Sequence, residues 1–436
     1  MKDVEECYWL EMYHYVKDEL KAKQPISGTQ LRYGFWYAQG KLDYCDIHAY
    51  WNHPRFPNKR WDRQDWDIGA AALSSKINTP GATLPELAAV RVLDRPLTVS
   101  EYNHPYPNFY AAECMPMLSA FGAFQNWSGI YQYTWAHQPN YDPDQTAMTY
   151  FDACASQGTL VHLPACYAMF VRGDVNRGPG RFEYTAPMSE KTELEHMAGM
   201  LTGYHRSLHL LDQRNLTLAV RSGISLSDLP DSKVKSHARR VSSWSELPDS
   251  VGSPEKNWIA NEFGELLWNF EEDKAYFKVD TTGTRVFSGF VRDRQFELDG
   301  LVLKPGKTRL DWTTVSLVNT SKKKPDPVKK NVLASGRYLL AASGLIHNTD
   351  AVFVSLAGNR ISTVHGGNEG TAPFLCEGIP LAITIKSIPP DRVKCFALDA
   401  EGNRGQEILP EQDARGSILK LGPEYRTLWY ELIINK

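Results

Sequence analysis

Three strand-like runs of this chain end in residues able to do chemistry. "CDIHAYW" carries His48 and Tyr50, "LTVSEYN" carries Glu101 and Asn103, and "YQYTWAH" carries Trp135 and His137. In extended chain, side chains two apart share a face, so each run delivers its pair to one side. An ionised Glu101 carboxylate can act as a nucleophile towards carbon. A tyrosine hydroxyl or histidine on the neighbouring strand would keep it ionised and aimed. An indole would supply an apolar floor that excludes water. Each residue also has a plainer use: Glu101 as a loop ion-pair partner, His48 as a satisfied structural histidine, Trp135 as core. His104 and His137 fit a rim or structural role. Polar and aromatic groups at successive strand ends are a stronger signal than any one of them.

The elements that must hold these groups alternate. Residues 3–22 have helical spacing of apolar residues. "QPISGTQ" reads as a short strand through Pro25, "FWYAQGKL" as a turn or helix, and "DYCDIHAYW" as a second strand. "RPLTVSEYN" is a third, followed by the helical "YPNFYAAECMPMLSAFGAFQN", and "WSGIYQYTWAH" is a fourth. Strands alternating with helices predict a parallel sheet with helices outside. Chemistry in such folds sits at the carboxyl ends of strands. Thr29 and Gln30, His48 and Tyr50, Glu101 and Asn103, and Trp135 with His137 all fall there.

From about residue 171 the pattern changes. Residues 192–213 read as a helical insertion. Ten short alternating runs then follow, from "LTLAVRS" to "TLWYELI", separated by turns such as "TTG" and "AEGN". They predict a β-sandwich-like module. The expectation is an α/β part over 1–170 and a β-sandwich-like domain over 171–436. The basic "KKKPDPVKK" at 322–330 reads as a solvated loop.

Composition narrows the function classes. Hydrophobic residues make up 42% and charged residues 23%, and net charge is −3, which gives no electrostatic case for nucleic acid or an anionic membrane. No run approaches a membrane span, and the acidic amphipathic start has no apolar signal region. The default compartment is therefore cytoplasmic. Seven cysteines without CxxC spacing argue against a disulfide framework and against a zinc site. Twelve Trp and 21 Tyr suit either cores or clefts that stack sugar rings.

In order and spacing, "CDIHAYW", "LTVSEYN" and "YQYTWAH" resemble strands six, seven and eight of clan A glycoside hydrolases, closest to family 5, and "PISGTQ" fits strand five. The β-rich tail resembles sandwich modules that follow such barrels in large bacterial glycosidases. The resemblance implies an incomplete, half TIM-type (β/α)8 barrel and retaining cleavage of a β-linked oligo- or polysaccharide. Glu101 would be the nucleophile, with His48 and Tyr50 orienting it. Trp135 would floor the sugar site, with Asn103, His104, His137 and Trp51 beside the saccharide. No cofactor and no metal are implied. Clan members carry an acid/base glutamate at the end of strand four, and only one helix precedes "PISGTQ". The Asn261–Glu262 pair lies in the β-rich tail and is not that acid. Three readings follow: a working half barrel, a decayed glycosidase that only binds saccharide, and a structural protein. In the first, a homodimer would complete the barrel and another carboxyl, such as Asp46, would serve as acid.

Overall fold

The computed structural model describes residues 2–31, 33–79, 81–142, 147–177, 182–188, 214–226, 239–325 and 332–436. The helix expected at 192–213 and most of the basic loop at 322–330 lie outside the described residues. The architecture mixes helices with many strands, dominated by a large antiparallel sheet.

Strands Cys45–Tyr50, Leu97–Asn103 and Gly129–Gln132 form a parallel sheet in chain order, with Leu97–Asn103 in the middle. One face of the first strand (Cys45, Ile47, Ala49) is buried, and the other (Asp46, His48, Tyr50) is only half-buried. The buried face meets helix Thr83–Ala89 and shares one apolar core with helix Cys114–Phe124, whose eleven residues are all buried. Residues 24–30 differ from expectation, for they contain no strand. Pro25 has no N–H to give a ladder. The segment is instead tied beside the first strand by bonds from Asp43 N to Ile26 O (3.1 Å) and Leu31 N to Asp46 O (2.9 Å). The fourth predicted strand is also shorter than its pattern and ends at Gln132.

The tail is not uniformly antiparallel. "LTLAVRS" opens as a helical turn, Leu216–Ala219, before strand Arg221–Leu226. That strand pairs in parallel with Phe182–Met188 and bridges Val92 through Ile224. Gly223 permits the approach, because a Cβ there would lie 2.9 Å from the Arg91 carbonyl oxygen. Beyond residue 250, a ten-stranded and a five-stranded antiparallel sheet pack face to face around one apolar core. The other face of the larger sheet contributes Trp268, Phe277 and Val286 to the core that holds the parallel strands.

Strand Trp312–Asn319 is the hinge of this arrangement, with all eight residues buried. Val315 and Leu317 point into the sandwich core, whereas Ser316 and Val318, on the opposite face, meet the helical side. Helix Leu163–Phe170 lies there, with His162 just before it. His162 is fully buried between Ser316 Oγ (2.8 Å from Nδ1) and Ser343 Oγ (2.9 Å from Nε2). Ser343 gives its proton to Gly158 O at 2.7 Å. It must therefore accept from Nε2–H, which leaves Nδ1 to accept from Ser316. The ring is neutral, and burial pushes its pKa down to about 3. An unfolded histidine takes a proton below about pH 6.5 while this one does not. Its contribution is therefore intact above that pH and lost on acidification. Urea unfolding at pH 7 and pH 5 should show stability falling more steeply with acid in the wild type than in His162→Gln. The difference should approach about 1.4 kcal/mol per pH unit inside the window.

Candidate active site

The pairing of the first two parallel strands is interrupted at the point where polar residues gather. Ile47 pairs with Val99, but His48 pairs with Glu101, leaving Ser100 as an extra residue in the middle strand. Such bulges re-aim side chains at the ends of strands. The burial sequence follows: Ser100 and Glu101 are both half-exposed, and Tyr102 turns inward. The bulge places Glu101 beside Tyr50 and His48 rather than in the core.

Tyr50 Oη donates a short hydrogen bond to Glu101 Oε2, and His48 Nδ1 lies 3.6 Å from the same oxygen. Burial, and then that bond to Glu101, push the Tyr50 phenol far above its ordinary range, so it remains a donor to the carboxylate. Gln30 Nε2 contacts His48 Nδ1, so the segment read as a strand end does reach the site. Asp46 is engaged lower on the same face, accepting from Ser100 Oγ (2.6 Å) and from Thr98 Oγ1.

Above these groups opens a cleft of about 570 Å³. Its walls hold Tyr50, His53, Trp61, Tyr133 and Phe151, and its carboxylates among the described residues are Glu101 and Asp152. Tyr50 packs on Phe151 (ring centroids 4.9 Å apart) and Tyr133 (6.1 Å). His137 also lines the cleft; its Nδ1 is 2.5 Å from Asp152 Oδ1.

The other expected site residues lie elsewhere. Trp135 is 63% exposed, past the end of the third strand, and does not line the cleft. Tyr133, two residues earlier, takes the wall position. Trp51 is buried in the core and donates Nε1–H to Ala71 O at 2.9 Å. Asn103 is buried and donates from Nδ2 to Tyr133 O (2.7 Å) and Phe151 O (3.0 Å), tying two wall segments together. His104 is enclosed 3.9 Å from Glu113. Burial pushes His104 down to about 3 and Glu113 up to about 8, although Glu113 also accepts from the backbone N–H groups of Leu73 and Ser74.

Sequence patterns missed His53, Trp61, Phe151 and Asp152, because they sit on irregular loops without periodicity. The available signal was position: loops after the carboxyl ends of parallel strands carry functional groups. Two distant contacts fix these loops. Asp67 accepts from Arg55 Nη2 (2.6 Å) and Arg360 Nε, and strand Ile68–Gly69 pairs with Arg360–Ser362. Burial opposes ionisation of Asp67, but the two arginines hold its pKa below the usual carboxylate range. On the other wall, Asn348 brackets Met148, accepting from its N–H (2.7 Å) and donating to its carbonyl (3.2 Å). No group of three or more His, Cys, Asp or Glu among the described residues could hold a metal ion, and no helix among them is long and apolar enough to cross a membrane. The chain matches no protein-family model, no curated protein and no solved structure.

Proposed function

We propose that this chain is a glycoside hydrolase that cleaves a β-linked saccharide by the retaining route, with Glu101 as nucleophile. One observation carries the reading: a carboxylate at the end of the middle parallel strand, held by Tyr50 beneath a ring-lined cleft. Retaining cleavage needs a carboxylate aimed at the anomeric carbon and a second group to protonate the leaving oxygen. Tyr50 and His48 orient Glu101. Tyr133, rather than Trp135, offers its ring to the sugar, with Phe151 and Trp61 on the same walls. In this reading the parallel strands Cys45–Tyr50, Leu97–Asn103 and Gly129–Gln132 correspond to strands six to eight of a (β/α)8 barrel. A homodimer about the barrel axis would add the partner's three parallel strands, with residues 24–30 of each copy, tied beside the first strand, in the place of strand five.

A second reading, saccharide binding without turnover, is favoured by the state of Asp152. It already accepts from the His137 backbone N–H (3.0 Å), the His137 ring and Thr149 Oγ1 (2.6 Å), so both of its oxygens are engaged within the protein.

Hydrolysis of a panel of nitrophenyl β-glycosides separates the two readings. The wild type should turn over at least one, and Glu101→Gln should lose that activity by several orders of magnitude without a change in melting temperature. Wild-type rates from the variant would remove Glu101 from the chemistry. In saccharide titrations, Tyr133→Ala should weaken binding by about 1–2 kcal/mol, and Trp135→Ala should leave it unchanged. The reverse order would restore the indole to the sugar site. Light scattering at micromolar concentration should report twice the mass of one chain; a monomer would eliminate the shared barrel.

A further inference from the structure

The missing proton donor has a candidate in the same cleft. We infer that His137, positioned by Asp152, protonates the leaving group in the hydrolysis proposed above. The inference rests on that reading of the cleft and names the second group it requires.

His137 and Glu101 come from different strand ends and line the same cleft. His137 follows the third parallel strand; its ring meets Tyr133 edge-on, with centroids 5.9 Å apart. Tyr133 in turn packs against Tyr50, the tyrosine that holds Glu101. The side chain of Asp152 is 6% exposed, while that of His137 is 47% exposed. The buried member is fixed from three directions: the His137 backbone N–H and ring on Oδ1, and Thr149 Oγ1 on Oδ2. A carboxylate in this position can only accept. It therefore fixes the proton of the imidazole on Nδ1 and leaves Nε2 as the exchanging atom. Among the described residues, Nε2 takes no hydrogen bond. A buried carboxylate orienting a half-exposed histidine is the division of labour used when an imidazole must carry a proton through a reaction.

The chemistry balances with water alone. A carboxylate oxygen of Glu101 bonds to the anomeric carbon as the bond to the leaving oxygen breaks, and that oxygen takes the proton from Nε2 of the imidazolium. In the second half, water adds to the anomeric carbon. The bond to Glu101 breaks with its electron pair returning to the carboxylate, and Nε2 takes the proton of the water. One glycosidic bond and one water are consumed, and both protein groups return to their starting states. Asp152 touches neither sugar nor leaving group in this scheme and acts as a positioning residue.

The test compares two leaving groups on one sugar. A 2,4-dinitrophenyl glycoside departs without protonation, and a phenyl glycoside needs a proton. The wild type should cleave both. His137→Ala should lower kcat/KM on the phenyl glycoside by about 10²–10⁴-fold, the usual contribution of a general acid, and change the dinitrophenyl substrate by less than about tenfold. His137→Gln can still bond Asp152 but carries no exchangeable acid proton, and it should show the same selective loss. Asp152→Asn should steepen the dependence of rate on leaving group in the same direction. Glu101→Gln should lose both substrates. Equal losses on both substrates in His137→Ala, or recovery in His137→Gln, would make the histidine a structural prop and overturn the inference while leaving the hydrolase reading standing. Turnover of neither substrate by the wild type would overturn both.

Discussion

One sheet has to serve two interiors, and the rest of the molecule is arranged around that requirement. Side chains of a strand alternate between faces, so a sheet covered on both sides needs a residue for each core at every step. Strand Trp312–Asn319 meets this with unlike faces: Val315 and Leu317 for the sandwich, and the smaller Thr314 and Ser316 with Val318 for the helical side. Small residues let helix Leu163–Phe170 lie close, but they bring hydroxyls with them, and a buried hydroxyl costs stability unless bonded. Ser288 and Thr314 bond each other at 2.6 Å, and His162 spans Ser316 and Ser343. A polar seam thus joins the helical side to the sandwich.

Upon that base, the site is made by a single irregularity. Without the extra residue at Ser100, strict alternation would put Glu101 on the face of Val99, in the core. With it, Glu101 shares the open face with His48 and Tyr50. Asp46, His48 and Tyr50 on that face are only half-buried, so the ionisable groups keep contact with water.

Much of this was legible in the sequence. Apolar alternation located the three strands of the sheet that carries Glu101, and the pairing of Tyr50 with Glu101 followed from neighbouring strand ends. What failed was extrapolating a two-residue period past the end of a strand. "YQYTWAH" alternates on paper, but the ladder stops at Gln132, so Trp135 falls outside the wall and Tyr133 inside it. Asn103 and His104 failed for a related reason: after the bulge, the chain turns inward and polar residues become clamps. "LTLAVRS" shows how a short apolar run cannot be assigned by period alone, since helix and strand accommodate it equally. The loop residues of the cleft carry no periodic signal, and their placement depends on partners some 200 or more positions away.

Those partners impose an order on assembly. Asp67 on one wall waits for Arg360, and Met148 on the other waits for Asn348. A ribosome delivers the parallel strands and Glu101 long before it delivers either partner. The nascent chain therefore exposes the carboxylate and its tyrosine first, as a shallow notch. The loops around the ring-lined cleft gain their last anchors only when Asn348 and Arg360 arrive. A chain cut short before residue 348 would keep the Tyr50–Glu101 bond and the Asn103 clamp on Tyr133 and Phe151, but lose the contacts that fix the loops holding Asp67 and Met148.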